Sequence, residues 1–200
     1  MRILIVGATG TIGRPLVAAL QGRHELVLAS REKAHEKVDI SDPASIRALY
    51  ARVGKLDAVV CAAGDARFKP FATLTDEDFS YSIASKLMGQ VNLVRYGIDS
   101  VNDGGSFTLT SGTLARAPMV GGAVASLMNG ALESFTRAAA LEAPRKIRVN
   151  VISPPWITET LIAYKMDPAG GLPAVDVARA YVTSIEGKQN GVVISPSNAS

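Results

Sequence analysis

The chain has a single cysteine, Cys61, so no internal disulfide can form. That excludes a disulfide-stapled scaffold and fits a reducing compartment. Its only histidines are His24 and His35. With so few soft ligands, no His/Cys/Asp cluster has metal-ligand spacing, and no metal is expected. Both histidines lie near the second strand of the pattern below and are read as surface residues. No apolar run approaches the ~20 residues that a bilayer span needs. The opening run Met1-Arg2-Ile3-Leu4-Ile5-Val6 is too short for a signal peptide, and Gly7 ends it. The net charge of +3 comes from scattered Lys and Arg, which argues against nucleic acid or a membrane as partner. These absences leave a cytoplasmic protein. At 48% hydrophobic residues over 200 positions, there is enough to build the core of one domain spanning 1–200.

What is present is an alternation of short apolar runs with longer amphipathic segments. Strands are expected at Ile3–Val6, Leu26–Ala29, Asp57–Cys61, Ser106–Thr110, Arg148–Ile152 and Gly191–Ser195. Helices are expected at 12–21, at 42–53 with Ser41 or Asp42 as N-cap, at 75–101 behind a Thr75 cap, at 122–142 and at 176–186. Near-continuous apolar strands separated by helices imply a parallel sheet covered on both faces. The expected fold is therefore α/β: a three-layer Rossmann fold with a doubly wound parallel sheet. Residues 154–171 form the longest irregular stretch and are the candidate substrate loop.

Gly7-Ala8-Thr9-Gly10-Thr11-Ile12-Gly13 lies where the first strand turns into the first helix. One glycine permits the tight turn, one lets a pyrophosphate approach the backbone, and one lets helix and strand pack closely. The helix N-terminus offers free N–H groups and a positive dipole end to phosphates. Gly7, Thr9, Gly10, Thr11, Ile12 and Gly13 are thus candidate dinucleotide-binding residues. About 20 residues on, NAD-binding folds carry an acid for the ribose 2′-hydroxyl. Here that place holds Ala29-Ser30-Arg31, with no acid before Glu32. Arg31 can pair bidentately with a 2′-phosphate, so NADP(H) is favoured over NAD(H); otherwise Arg31 is a solvated surface residue.

At this point the residues resemble the short-chain dehydrogenase/reductase family, along almost the whole chain. Beyond the glycine loop, Asp39 and Ile40 fall where the family places an acid against the adenine. Cys61-Ala62-Ala63-Gly64 takes the place of the family's Asn-Ala-Gly turn beside the adenine ribose. Leu109-Thr110-Ser111-Gly112 resembles the strand end that carries the catalytic serine. Ile147 to Pro155 resembles the fifth strand and the turn that meets the nicotinamide, which brings in Pro154, Pro155, Trp156 and Ile157. Gly130 to Arg137 matches the helix that follows the family's Tyr-x-x-x-Lys motif. The resemblance implies a small-molecule substrate and a homo-oligomer, a dimer or tetramer. The small residues Ala138, Ala139 and Ala140 suit either an interface or plain sheet packing.

The departures fall on the catalytic half. No Tyr-x-x-x-Lys occurs; Ala125 stands at the tyrosine position and Asn129 at the lysine position. Lys86, in Lys86-Leu87-Met88-Gly89, falls where the family's helix asparagine is usual. Loss of the positioned tyrosine removes a general acid, typically worth 10²–10⁴-fold. Ser111, Lys86 and Asn129 are the remaining catalytic candidates. A buried Lys86 could stabilise an oxyanion or donate a proton; alternatively it binds the ribose or pairs on the surface. Tyr81, five residues earlier on the helical pattern, is not expected to share its face. Tyr164 and Trp156 are read as pocket or packing residues, and Met119 and Met128 as filler. Two functions stay open: an NADP(H)-dependent oxidoreductase acting on a small carbonyl or related substrate, or a non-catalytic NADP(H)-binding sensor or regulatory protein.

Overall fold

The computed structural model describes residues 1–197; residues 198–200, the end of the domain expected over 1–200, lie outside it. Seven parallel strands form one sheet: β1 (Arg2–Val6), β2 (Glu25–Ser30), β3 (Glu36–Lys37), β4 (Leu56–Cys61), β5 (Val101–Thr110), β6 (Arg148–Ile152) and β7 (Val193–Ile194). Their order is β3-β2-β1-β4-β5-β6-β7, so the winding reverses between β1 and β4. The doubly wound Rossmann architecture follows directly. The two-residue edge strand β3 carries too little pattern to be seen in the sequence.

Strand alternation divides the core. Leu4 and Val6 point to the face covered by α2 (Pro43–Val53), α4 (Gly89–Gly97) and α5 (Ala123–Glu142), whereas Ile3 and Ile5 point to α1 (Gly13–Leu20) and α7 (Ala174–Glu186). Asp42 caps α2 by accepting from the Ala44 N–H, with Pro43 in the first turn. Ala139 and Ala140 pack against the core, so that part of the alanine stripe serves the sheet.

Two expectations need correction. The stretch 154–171 is not irregular throughout, because α6 (Thr158–Ala163) and a 3₁₀ turn (Pro168–Gly170) lie within it. Glu159 explains the order there: its carboxylate accepts from the Ala174 N–H at 3.0 Å and ties α6 to the start of α7. The helical pattern of 75–101 is also broken. It comprises α3 (Asp76–Ser82), a π turn at Ile83–Met88, α4 and a 3₁₀ turn.

A buried glutamine holds that π turn in place. Gln90, fully inaccessible, donates to the Lys86 carbonyl (3.0 Å) and the Thr110 carbonyl (2.8 Å), and accepts from the Thr110 N–H (2.8 Å). Gln90→Met should cost about 2–3 kcal/mol, because it strands buried backbone groups at the end of β5. Urea unfolding checks this.

Candidate active site and dinucleotide groove

The site lies at the C-terminal ends of the strands, beside the point where the winding reverses, as parallel α/β sheets favour. Its first part is the glycine turn after β1. Gly7 has φ +88°, and a Cβ there would lie 2.6 Å from the Ala62 carbonyl oxygen. A Cβ on Gly13 would overlap the Gly7 carbonyl itself. Both positions are closed to side chains, so β1, β4 and α1 can approach each other tightly; the Gly7 and Ala8 N–H groups donate to the Ala29 carbonyl and that of Gly10 to the Gly7 carbonyl, which fixes the turn. Gly7, Thr9, Gly10, Ser30, Arg31, Val38, Ile40, Ala62, Ala63 and Gly64 line the resulting cleft. Thr11 lines an adjoining groove with Arg14 and Pro15. This cradle fits the pyrophosphate and adenosine half of a dinucleotide.

Two residues of the predicted cofactor set act one step back. Ser30 lines the cleft, but its hydroxyl oxygen accepts from the N–H groups of Lys33 (2.9 Å) and Ala34 (2.7 Å), which shapes the loop carrying Arg31. Asp39 turns its carboxylate to the Ser41 N–H and hydroxyl, at 2.9 and 2.6 Å. Those bonds, aided by Arg31, hold Asp39 below the usual carboxylate range. Its neighbours Val38 and Ile40 face the cleft instead.

The cleft runs on through Gly64 and Asp65 into a pocket of about 270 Å³. Ile12, Lys86, Ser111, Gly112, Asn129, Pro154, Pro155, Trp156 and Ile157 all line it, so residues far apart in sequence meet here. Lys86 is half-buried, and its ammonium donates to the Ser111 carbonyl at 3.4 Å. Desolvation pulls its pKa from 10.5 down to about 8, against smaller upward pulls from Cys61 and Asp65. Asn129 is 5% exposed, and its side-chain Oδ1 has no hydrogen-bond partner. A buried amide oxygen costs free energy unless something donates to it. A ribose or amide donor of a nicotinamide nucleoside meets that need.

The Ser111 hydroxyl is not free for substrate. It donates to Glu133 Oε1 at 3.2 Å, while Ser153 donates to the same oxygen at 2.9 Å. Arg116 and Arg137 approach the other carboxylate oxygen at 3.9 and 3.8 Å. Gly112 stands on the pocket side instead: a Cβ there would come within 2.9 Å of Asn129 Nδ2. Ser111 therefore offers the pocket its carbonyl, not its hydroxyl.

Sequence reasoning missed Asp65, Phe68, Leu114, Thr113 and Thr160 on the pocket lining, and Glu133 behind it. Asp65 directly follows the Gly64 turn, which was the available signal. Tyr81 is on neither lining, but contrary to helical spacing it reaches the same loop as Lys86. Its hydroxyl donates to Asp65 at 3.0 Å, while Lys86 Cδ packs against Gly64. The π turn between them lengthens the helical repeat and brings both onto one loop. Tyr164 and Trp156 line the pocket; Met128 is buried in the core and Met119 is exposed. Among the described residues no group of three or more His, Cys, Asp or Glu is placed to hold a metal, and no helix is long and apolar enough to cross a membrane.

A family profile described as enoyl-(acyl carrier protein) reductase matches residues 16–186. L-xylulose reductase of Mesocricetus auratus is 31% identical over 172 residues, covering 76% of this chain and 70% of that one. The crystal structure of the protein lin1944 from Listeria innocua superposes with a TM-score of 0.94 at 43% identity, covering 98% of both chains. A small-chain dehydrogenase in complex with NADPH superposes at 0.86 with 28% identity, over 98% of this chain and 95% of that one. With its parallel sheet, glycine cradle and continuous groove, the chain belongs to the short-chain dehydrogenase/reductase family of oxidoreductases.

Proposed function

We propose that the protein is an NADP(H)-dependent oxidoreductase acting on a small carbonyl or related substrate, with Lys86 in place of the family's tyrosine–lysine pair. The observation that carries this is the Lys86 ammonium on the lining of a pocket continuous with the glycine cradle. Arg31 on the cleft lining would take the 2′-phosphate, and Ser30 would hold the loop that presents it. Gly7, Thr9, Gly10, Thr11 and Gly13 would cradle the pyrophosphate. Ile40 would border the adenine, with Asp39 holding the turn beside it through Ser41, and Ala62, Ala63 and Gly64 would border its ribose. Ile12, Pro154, Pro155, Trp156 and Ile157 would enclose the nicotinamide, whose reduced form supplies a hydride.

Within the chain, Asn129 would accept a hydrogen bond from the ribose. Lys86, charged at neutral pH but easily deprotonated, would neutralise charge developing on a substrate oxygen and release its proton there. Ser111 would orient that ammonium through its carbonyl. A homo-oligomer is part of this reading, because α5 exposes Leu127 and Leu141; sedimentation at micromolar concentration checks it. The engaged Ser111 hydroxyl and the alanine at position 125 favour a second reading, an NADP(H)-binding sensor without turnover.

Titration with both dinucleotides tests the cofactor assignment. Arg31→Ala should weaken NADPH about 10–100-fold and leave NADH within about threefold, since one charge-assisted bidentate pair is lost. Equal losses for both dinucleotides, or none, would contradict the role given to Arg31. Tight binding with no oxidation of NADPH over a broad carbonyl panel would decide for the sensor.

A further inference from the structure

Resting on the reductase reading above, we propose that the pocket beside Lys86 takes a flat, conjugated dicarbonyl of the quinone class as its electron acceptor. Its outer wall is aromatic. The rings of Phe68 and Trp156 lie with centroids 5.4 Å apart and planes tilted by 49°, and Tyr164 joins them on the lining. Phe68 is 45% and Tyr164 64% exposed, so much of their apolar surface on this lining is uncovered. Ile12, Leu114 and Ala125 make further lining apolar. A planar ring system recovers contact with such a wall, where offset and edge-to-face stacking add to simple burial.

The polar groups narrow the chemistry. Among the described residues Lys86 is the one cation on the lining, and the Ser111 hydroxyl is held by Glu133. A saturated ketone leaves an alkoxide on reduction, about as basic as hydroxide. Such an oxygen needs an acid aimed at it while the hydride arrives. A reduced quinone leaves a phenolate, whose conjugate acid lies near 10. It is roughly six powers of ten less basic, so it can form first and be protonated afterwards.

The step balances. A hydride leaving the C–H bond of the reduced nicotinamide would bond to one carbonyl oxygen of the quinone. The ring becomes aromatic as the displaced electron pair moves to the other oxygen. That phenolate takes a proton from the Lys86 ammonium to give the hydroquinone, and solvent reprotonates the amine. The nicotinamide is oxidised by two electrons and the quinone reduced by two.

The test uses the full chain and 1,4-naphthoquinone. Trp156 is the only tryptophan, so its fluorescence reports this pocket. Cys61 is the only thiol and is 1% exposed, which removes quinone addition to sulfur as a competing signal. The expected result is saturable quenching, weakened about tenfold in the exposed-site variant Phe68→Ala. NADPH-driven reduction should run with kcat/KM at least about 100-fold above that for cyclohexanone. Quenching that does not saturate, an affinity untouched by Phe68→Ala, or equal turnover of cyclohexanone overturns the quinone assignment. NADPH binding is read separately from its own fluorescence. If it is absent, the reductase reading falls and this assignment falls with it; if it is present, a failure belongs to the quinone assignment alone.

Discussion

Gly13→Ala should remove dinucleotide binding and destabilise the protein by about 3 kcal/mol, because the new methyl overlaps the Gly7 carbonyl and cannot be accommodated by moving a flexible side chain. The backbone has to open, and it is the backbone of the turn that the proposed reading sets against the phosphates. Gly7→Ala should act similarly through two separate penalties: a left-handed φ of +88° and a contact of 2.6 Å with the Ala62 carbonyl oxygen. Each should weaken NADPH by roughly 100-fold or more, equivalent to about 2.8 kcal/mol. Gly22, with φ +81° and open space around its Cβ position, is the internal control. Gly22→Ala should carry the conformational penalty alone, on the order of 1 kcal/mol, and leave binding unchanged. Calorimetric melting and NADPH titration of the three variants separate these effects.

Lys86→Met should lower turnover of a saturated ketone such as cyclohexanone by about 10²–10⁴-fold while making the protein more stable. Both effects have one cause. Burial displaces the ammonium pKa from 10.5 to about 8, which at 1.36 kcal/mol per unit is a folding penalty of roughly 3 kcal/mol at neutral pH. The sign follows from proton binding. Between pH 8 and 10.5 the unfolded chain holds the lysine proton and the folded chain does not, so stability rises with pH across that window. Below pH 8 both states are protonated and the penalty is constant. Activity depends on the same proton in the opposite sense and should fall as pH rises through about 8. Cys61 and Asp65 are the titratable groups that bear on the Lys86 ammonium. Urea unfolding and a pH–rate profile of wild type and Lys86→Met measure the two trends. A variant no more stable than wild type, with an unchanged profile, contradicts this role for Lys86.

The glycine turn of the candidate site was legible because its requirements are local and steric. A turn that passes this close to Ala62 admits only glycine, and the spacing of Gly7, Gly10 and Gly13 shows that in one dimension. The strands were legible because burial on both faces leaves continuous apolar runs. The π turn at Ile83–Met88 was not. It keeps a helix-like pattern, and what stabilises it is a set of bonds from Gln90 to Thr110, twenty residues away. The orientation of Ser111 was partly readable in hindsight. Strand residues alternate faces: Thr108 bonds Ser184 and Thr110 meets Tyr181 on the α7 side, so Ser111 turns towards α5 and Glu133. The resemblance named a serine at this strand end without fixing which way it faced. Phe68 lies further along a loop whose path is set by long-range contacts, and no local pattern marks it as lining.

Titrating the Lys86 amine directly, by its side-chain NMR signals assigned through Lys86→Arg, tests whether the site keeps its dinucleotide groove while relying on this lysine for its proton. The account expects a pKa near 8 in the free protein and a displaced titration once NADPH is added. A lysine that titrates near 10.5 and does not respond to NADPH would contradict it.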